Sequence, residues 1–198
     1  MSATALPPVT WSEENNILWK VPIEGQGNAS PIVWDDKIFV LTAVDTKVVD
    51  PSLPPPEEQP ERVFGITFPN TVFRFEVLCL NRFTGKKIWQ QTATKKVPHE
   101  GTHHHADFAC ASPVTDGERL YCWFRSAGMY CYSLNGTLLW KRDLGEVRVG
   151  ASLGEGCSPV LHHGRIIIVR DHSGQSSIEV LEAATGQTVW KRTRDEKN

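Results

Sequence analysis

Short apolar runs separated by polar turns recur along the chain. KIFVL (37–41), RLYCWF (119–124) and RIIIV (165–169) are rich in β-branched and aromatic residues. Each follows a turn signal: Asp35-Asp36, Asp116-Gly117 or His163-Gly164. Runs that are apolar on both faces suit strands sandwiched between neighbouring sheets. No stretch carries a convincing apolar period of the helical kind. The pattern predicts an all-β chain.

The same order of elements returns three times. Segments open at Ser30-Pro31, Ser112-Pro113 and Ser158-Pro159 and close at Trp89, Trp140 and Trp190. Gly85, Gly136 and Gly186 each precede their tryptophan by four residues, in a hairpin turn where positive φ is often needed. Self-similar units of about four strands and roughly 40 residues are those expected of propeller blades. The expected architecture is a partial β-propeller of about three four-stranded blades, over 28–95, 110–145 and 156–193. A four-stranded sheet cannot bury two apolar faces alone, so the tryptophans are expected to dock each sheet on the next. Two departures stand out. The Pro- and Glu-rich stretch 45–70 interrupts the first unit and reads as a long surface loop, partly extended or disordered. Residues 14–23 match only the last strand of a unit, a lone closing strand with Trp19 in the docking position.

The turn-to-tryptophan run resembles the tryptophan-docking motif of the PQQ-like β-propeller repeat family. That family includes quinoprotein alcohol dehydrogenases and the assembly lipoprotein BamB. Cys79, Asn81, Thr84, Gly85 and Trp89 occupy the motif's places in the first unit. Val180, Glu182, Thr185, Gly186 and Trp190 do so in the third. The Thr-Gly and Trp positions match; the Ala and Asp positions do not, which marks a diverged member. The resemblance implies an arc of a seven- or eight-bladed ring, a fragment of a longer protein. It also implies a non-catalytic binding or scaffolding module of the BamB kind. The alternative it carries is part of a PQQ-dependent oxidoreductase, with PQQ and calcium as cofactors. No adjacent Cys-Cys pair and no assignable carboxylate–amide set supports that alternative. A periplasmic or extracellular location follows by resemblance. The N-terminus has neither the positive cluster nor the apolar core of a signal peptide, so a complete chain is expected to stay in the cytoplasm.

Composition narrows the partners. The 198 residues are 40% hydrophobic and 22% charged, with a formal net charge of −2. Without a block of like charge, nucleic acid is not an expected partner. No apolar run is long enough to span a bilayer. What remains is an unidentified protein or small-molecule ligand, or self-association through an open blade face. Among candidate chemistry, His103, His104 and His105 suggest a weak metal site. On an extended segment at most two would converge, and a polar connecting loop is the competing reading. Asp107, Arg125, Arg148, Arg170 and Asp171 read as ordinary exposed turn charges. The five cysteines read as reduced, buried, small hydrophobes. The spacing of Cys122 and Cys131 leaves a cross-strand disulfide open.

Overall fold

The computed structural model describes Leu6 and residues 8–196. It is all-β: three four-stranded antiparallel sheets, each a simple meander. The first sheet holds β1 (Ile32–Trp34), β2 (Lys37–Val49), β3 (Thr71–Asn81) and β4 (Lys87–Lys96). The second holds β5 (Val114–Thr115), β6 (Arg119–Trp123), β7 (Met129–Ser133) and β8 (Leu138–Arg142). The third holds β9 (Val160–His162), β10 (Arg165–Arg170), β11 (Ser177–Glu182) and β12 (Thr188–Thr193).

Strand alternation explains why the central runs are apolar on both sides. In β6, Leu120 and Cys122 pack with Phe39, Leu41, Phe75 and Val77 of the first sheet. Tyr121 and Trp123, one residue out of phase, pack with Ile166, Ile168 and Leu181 of the third. The middle sheet therefore belongs to two cores, and each needs its own face filled. The same phase governs the cysteines. Tyr121 is opposite Cys131 and Cys122 is opposite Tyr130, so Cys122 and Cys131 sit in different cores. All five thiols are free. Burial pushes the Cys79 thiol up to about 11 and that of Cys131 up to about 12. Cys157 is exposed and Cys110 half-buried, so the expectation of uniform burial fails for these two, which lie on connectors rather than strands.

Two other expectations change. The stretch 45–70 is not a loop throughout: β2 runs on to Val49, which pairs with Thr71 across a bulge. Lys47 takes φ 61° there, and its backbone N–H donates to Asp45 Oδ1 at 2.9 Å. The remainder folds into a compact loop rather than a disordered one. Gln59 pins it, donating from Nε2 to the Phe68 carbonyl at 2.8 Å and accepting from the Phe68 N–H at 2.8 Å. The Arg62 guanidinium lies 4.0 Å from the Phe68 ring centroid. Residues 14–23 form no paired strand, because no described strand lies alongside to supply a ladder. Asn15 makes only a local antiparallel bridge to Ser12, Gln26 beyond the segment bridges Ala43, and Trp19 is carried onto the first sheet.

Meander topology sorts the turns into two ends. The β1–β2 and β3–β4 turns, with their counterparts, share one end. The β2–β3, β6–β7 and β10–β11 turns share the other with the connectors 97–113 and 143–159. Truncation separates a docked tryptophan from an undocked one. Trp140→Ala is expected to cost about 3 kcal/mol, from lost packing and a lost indole hydrogen bond. Trp190→Ala, on a face that nothing described covers, is expected to stay within about 0.5 kcal/mol of the parent. Denaturant melts of the two variants measure the difference.

Candidate functional site

The repeated glycines and tryptophans meet between sheets, not within them. Trp89 of β4 donates its indole N–H to the Leu134 carbonyl at 3.0 Å, and Trp140 of β8 donates to Ala183 at 3.0 Å. Each ring lies flat against the next sheet's turn glycine. A Cβ built on Gly136 would fall 2.9 Å from Trp89 Cδ2, and one on Gly186 would fall 2.7 Å from Trp140 Cε3. Both glycines also hold positive φ, 86° and 70°, so an L side chain is excluded on two grounds. Trp19 makes the same contact on the first sheet, with its indole N–H 2.9 Å from the Arg82 carbonyl and its ring over Gly85. Among the described residues Trp190 meets no such berth, and it is 42% exposed.

The Ser-Pro positions form a second joint at the inner strands. Ser30 donates its N–H to the Ser112 hydroxyl at 3.0 Å, and Ser112 donates its own to Ser158 at 3.0 Å. The sequence marks these serines by repetition alone; only the packed sheets show what the hydroxyls accept.

The opposite end, built from β6–β7 and the connectors, gathers the polar chemistry. Arg125 takes φ 57° in the β6–β7 turn and is 7% exposed, with a guanidinium N–H on Cys110 Sγ. Ser126 donates its N–H to both Glu155 oxygens at 3.2 Å. Its hydroxyl accepts from Val147 N–H at 3.1 Å, and its carbonyl accepts from Lys96 Nζ at 3.0 Å. His99 donates from Nε2 to the Val147 carbonyl at 2.6 Å, which fixes its tautomer. Glu100 accepts from Val149 N–H at 3.0 Å. Asp107, 4% exposed, accepts from Asn28 N–H at 2.6 Å and Ala109 N–H at 2.7 Å. Arg125 and Asp107 are thus buried, against the expectation of exposed turn charges, because the connectors fold over them.

Two cavities adjoin at Glu155. One of about 30 Å³ lies among Phe75, His99, Thr102, Phe124 and Arg125; the other, about 210 Å³, among Trp123, Val149, Cys157 and Arg170. Among the described residues, Arg125 Nε, Thr102 Oγ1 and Trp123 Nε1 are buried without a protein hydrogen-bond partner. The smaller space suits a guest of about one or two waters. Burial pushes the Glu155 carboxyl above the usual range, outweighing the Ser126 N–H and the nearby Arg125 and His99.

The histidine run does not build a metal centre. The His103, His104 and His105 rings cluster, tilted to one another, at 4.0 to 5.3 Å between centroids rather than alternating, because the segment turns there instead of extending. His103 Nδ1 accepts from the His105 N–H at 3.3 Å. Desolvation, then the neighbouring rings, hold His104 below its ordinary pKa. Among the described residues no group of three His, Cys, Asp or Glu side chains is placed to hold a metal. The carboxylates of this end, Glu155, Glu100 and Asp107, each accept from backbone N–H groups of the chain. Calcium, which takes six to eight oxygen ligands, does not fit this set.

A family profile described as "Outer membrane protein assembly factor BamB" matches residues 74–198. The chain belongs to this PQQ-like repeat family. Its fold recurs in the quinohemoprotein alcohol dehydrogenase of Comamonas testosteroni, at 15% identity and a TM-score of 0.50 over 86% of the present chain. A europium-containing methanol dehydrogenase matches at 12% identity and 0.51 over 82%. BamB from Moraxella catarrhalis matches at 13% identity and 0.41, over 89% of the present chain and 51% of its own. The chain spans 21% and 24% of the two dehydrogenases. No curated protein matches it in sequence.

A carboxyl whose folded pKa is raised stabilises most below its unfolded pKa. That contribution disappears as pH rises through the folded value. Glu155→Gln keeps an acceptor for Ser126 and removes the buried charge. The variant is expected to melt higher than the parent at neutral pH, with the gap closing in the acid range. Thermal melts across pH check this.

Proposed function

We propose that this PQQ-like propeller module is non-catalytic and binds or scaffolds a partner protein, in the sense in which BamB is an assembly factor. One observation carries the reading: the carboxylates and His99 at the turn-and-connector end are engaged with the chain's own backbone. Glu155 holds Ser126, Glu100 holds Val149, His99 holds Val147, and Asp107 holds Asn28 and Ala109. A general acid or base needs its proton or lone pair directed at a substrate. These groups instead tie the connectors to the sheets and make a rigid frame. By the same family resemblance we infer a periplasmic or extracellular location. No helix among the described residues is long and apolar enough to cross a membrane.

A second reading, part of a PQQ-dependent oxidoreductase, is favoured by the buried donors Arg125 Nε and Trp123 Nε1, which face cavities at the same end. Titration with PQQ and calcium separates the two. The scaffold reading expects no new absorption band and no alcohol-dependent dye reduction. A saturable band with turnover overturns it in favour of the second reading.

A further inference from the structure

The insertion between β2 and β3 makes a groove that the other two units lack. In the second and third sheets the equivalent turn spans only 124–128 and 171–176; in the first it runs from 50 to 70. Leu53, Pro60, Phe68 and Pro69 of this loop, with Val97 and Pro98 of the connector, line a cavity of about 310 Å³. Both walls lie inside the chain, one between β2 and β3 and the other between β4 and β5. Long ordered loops on a rigid scaffold are common places for small-molecule sites, and this volume falls at the lower end of such sites.

The polar side chains of the groove differ in what they have left to offer. Gln59 is saturated. Its Nε2 donates to the Pro54 carbonyl at 3.2 Å and the Phe68 carbonyl at 2.8 Å; its Oε1 accepts from the Phe68 N–H at 2.8 Å and from Arg62 Nη1 at 3.1 Å. His99 commits its N–H to the Val147 carbonyl. Arg62 is different. Its hydrogen bonds, to Gln59 and to the Pro60 carbonyl at 3.4 Å, both leave from Nη1, while its Cζ lies 4.0 Å from the Phe68 ring centroid. Among the described residues no acceptor meets its Nε or Nη2. No carboxylate among them pairs with it, although Glu57, Glu58 and Glu61 are close in sequence. The free Nε–Nη2 edge can hold a carboxylate by two parallel hydrogen bonds. Gln59 holds both the loop and the guanidinium in place beforehand, so little ordering is left for a guest to impose.

We propose that this groove binds a small aromatic monocarboxylate. The carboxylate takes the Nε–Nη2 edge of Arg62, and the ring lies among Phe68, Pro69, Val97 and Pro98. Charge complementarity selects the guest. Arg62 is the one cation among the described residues that line the groove, and no carboxylate lines it, so a single negative charge is matched and a second is not. The walls select the rest. A phenyl face and proline rings are flat and apolar, so a planar ring meets them over more of its surface than a branched chain does. The site stands apart from the buried Arg125 and does not depend on the partner-binding reading.

Titration of the isotope-labelled chain with 3-phenylpropanoate, followed by backbone amide shifts, tests this. Saturable shifts are expected at Phe68 and Val97, with a Kd on the order of 0.1 mM. The uncharged 3-phenylpropanamide is expected to bind about 10-fold more weakly or worse. Acetate, which lacks the ring, is expected not to saturate. Arg62→Gln is expected to weaken 3-phenylpropanoate by about 10- to 100-fold and to leave the amide unchanged. Val97→Glu keeps Arg62 and Gln59 and is expected to abolish binding of the acid. If Arg62→Gln disturbs the loop, seen as shifts spread over 50–70 without ligand, Val97→Glu and the amide decide the matter. The absence of saturation by 3-phenylpropanoate overturns the proposal. Equal binding of acid and amide overturns it in favour of a purely apolar guest. A peptide ending in phenylalanine that binds about 10-fold tighter than the free acid overturns it in favour of a protein C-terminus. Shifts that follow protein concentration alone, and that Val97→Glu removes, overturn it in favour of a second copy of the chain. Failure in any of these ways leaves the partner-binding reading untouched.

Discussion

Each sheet of this protein is joined to the next by an indole that lies on a glycine and donates to a carbonyl. The interaction does two things together. The ring covers apolar area that a four-stranded sheet cannot bury by itself, and the N–H satisfies a turn carbonyl that packing would otherwise strip of water. Only glycine admits the ring, since a Cβ at Gly136 or Gly186 would clash with it at 2.9 or 2.7 Å. At the inner strands a serine hydroxyl meets the N–H of the preceding serine, so each sheet is fixed at its outer and inner edges. The angle between neighbouring sheets is then held at both ends.

Fixing the sheets in this way creates the polar end. With the tryptophan joints at one end and the connectors at the other, the β6–β7 turn is drawn under residues 97–113 and 143–159. Arg125 and Asp107 become buried there, Glu155 half-buried, and all three need partners. Backbone N–H groups of Ser126, Asn28 and Ala109 meet the two carboxylates, and the Cys110 sulfur meets Arg125. The protein uses charge at this end as internal bracing. The 50–70 loop adds to the brace: a Cβ at Gly101 would meet the Thr67 carbonyl at 2.4 Å, so the loop sits directly on the connector.

Sequence pattern carried the architecture far because the joint is local in its chemistry. Glycine, a four-residue interval and tryptophan are required in every copy, and the strand phase shows in runs such as RLYCWF. The same pattern was poor at the connectors. Their hydrogen bonds link residues about 20 to 80 positions apart, such as Asn28 with Asp107 and Ser126 with Val147, so no local spacing announces them. An arginine between Phe124 and Ser126, within an otherwise apolar run, was the one visible sign of a buried charge.

The amino-acid sequence by itself determined that the chain is all-β and makes four-stranded antiparallel units. Those features follow from side-chain size and strand alternation, which act over a few residues. Tertiary structure alone decided the rest. Placing the sheets face to face put Cys122 and Cys131 in separate cores, buried Arg125, turned the histidine run into a cluster, and set Trp19 in a berth over Gly85. Each outcome depends on which groups distant segments bring together and on how much water they exclude.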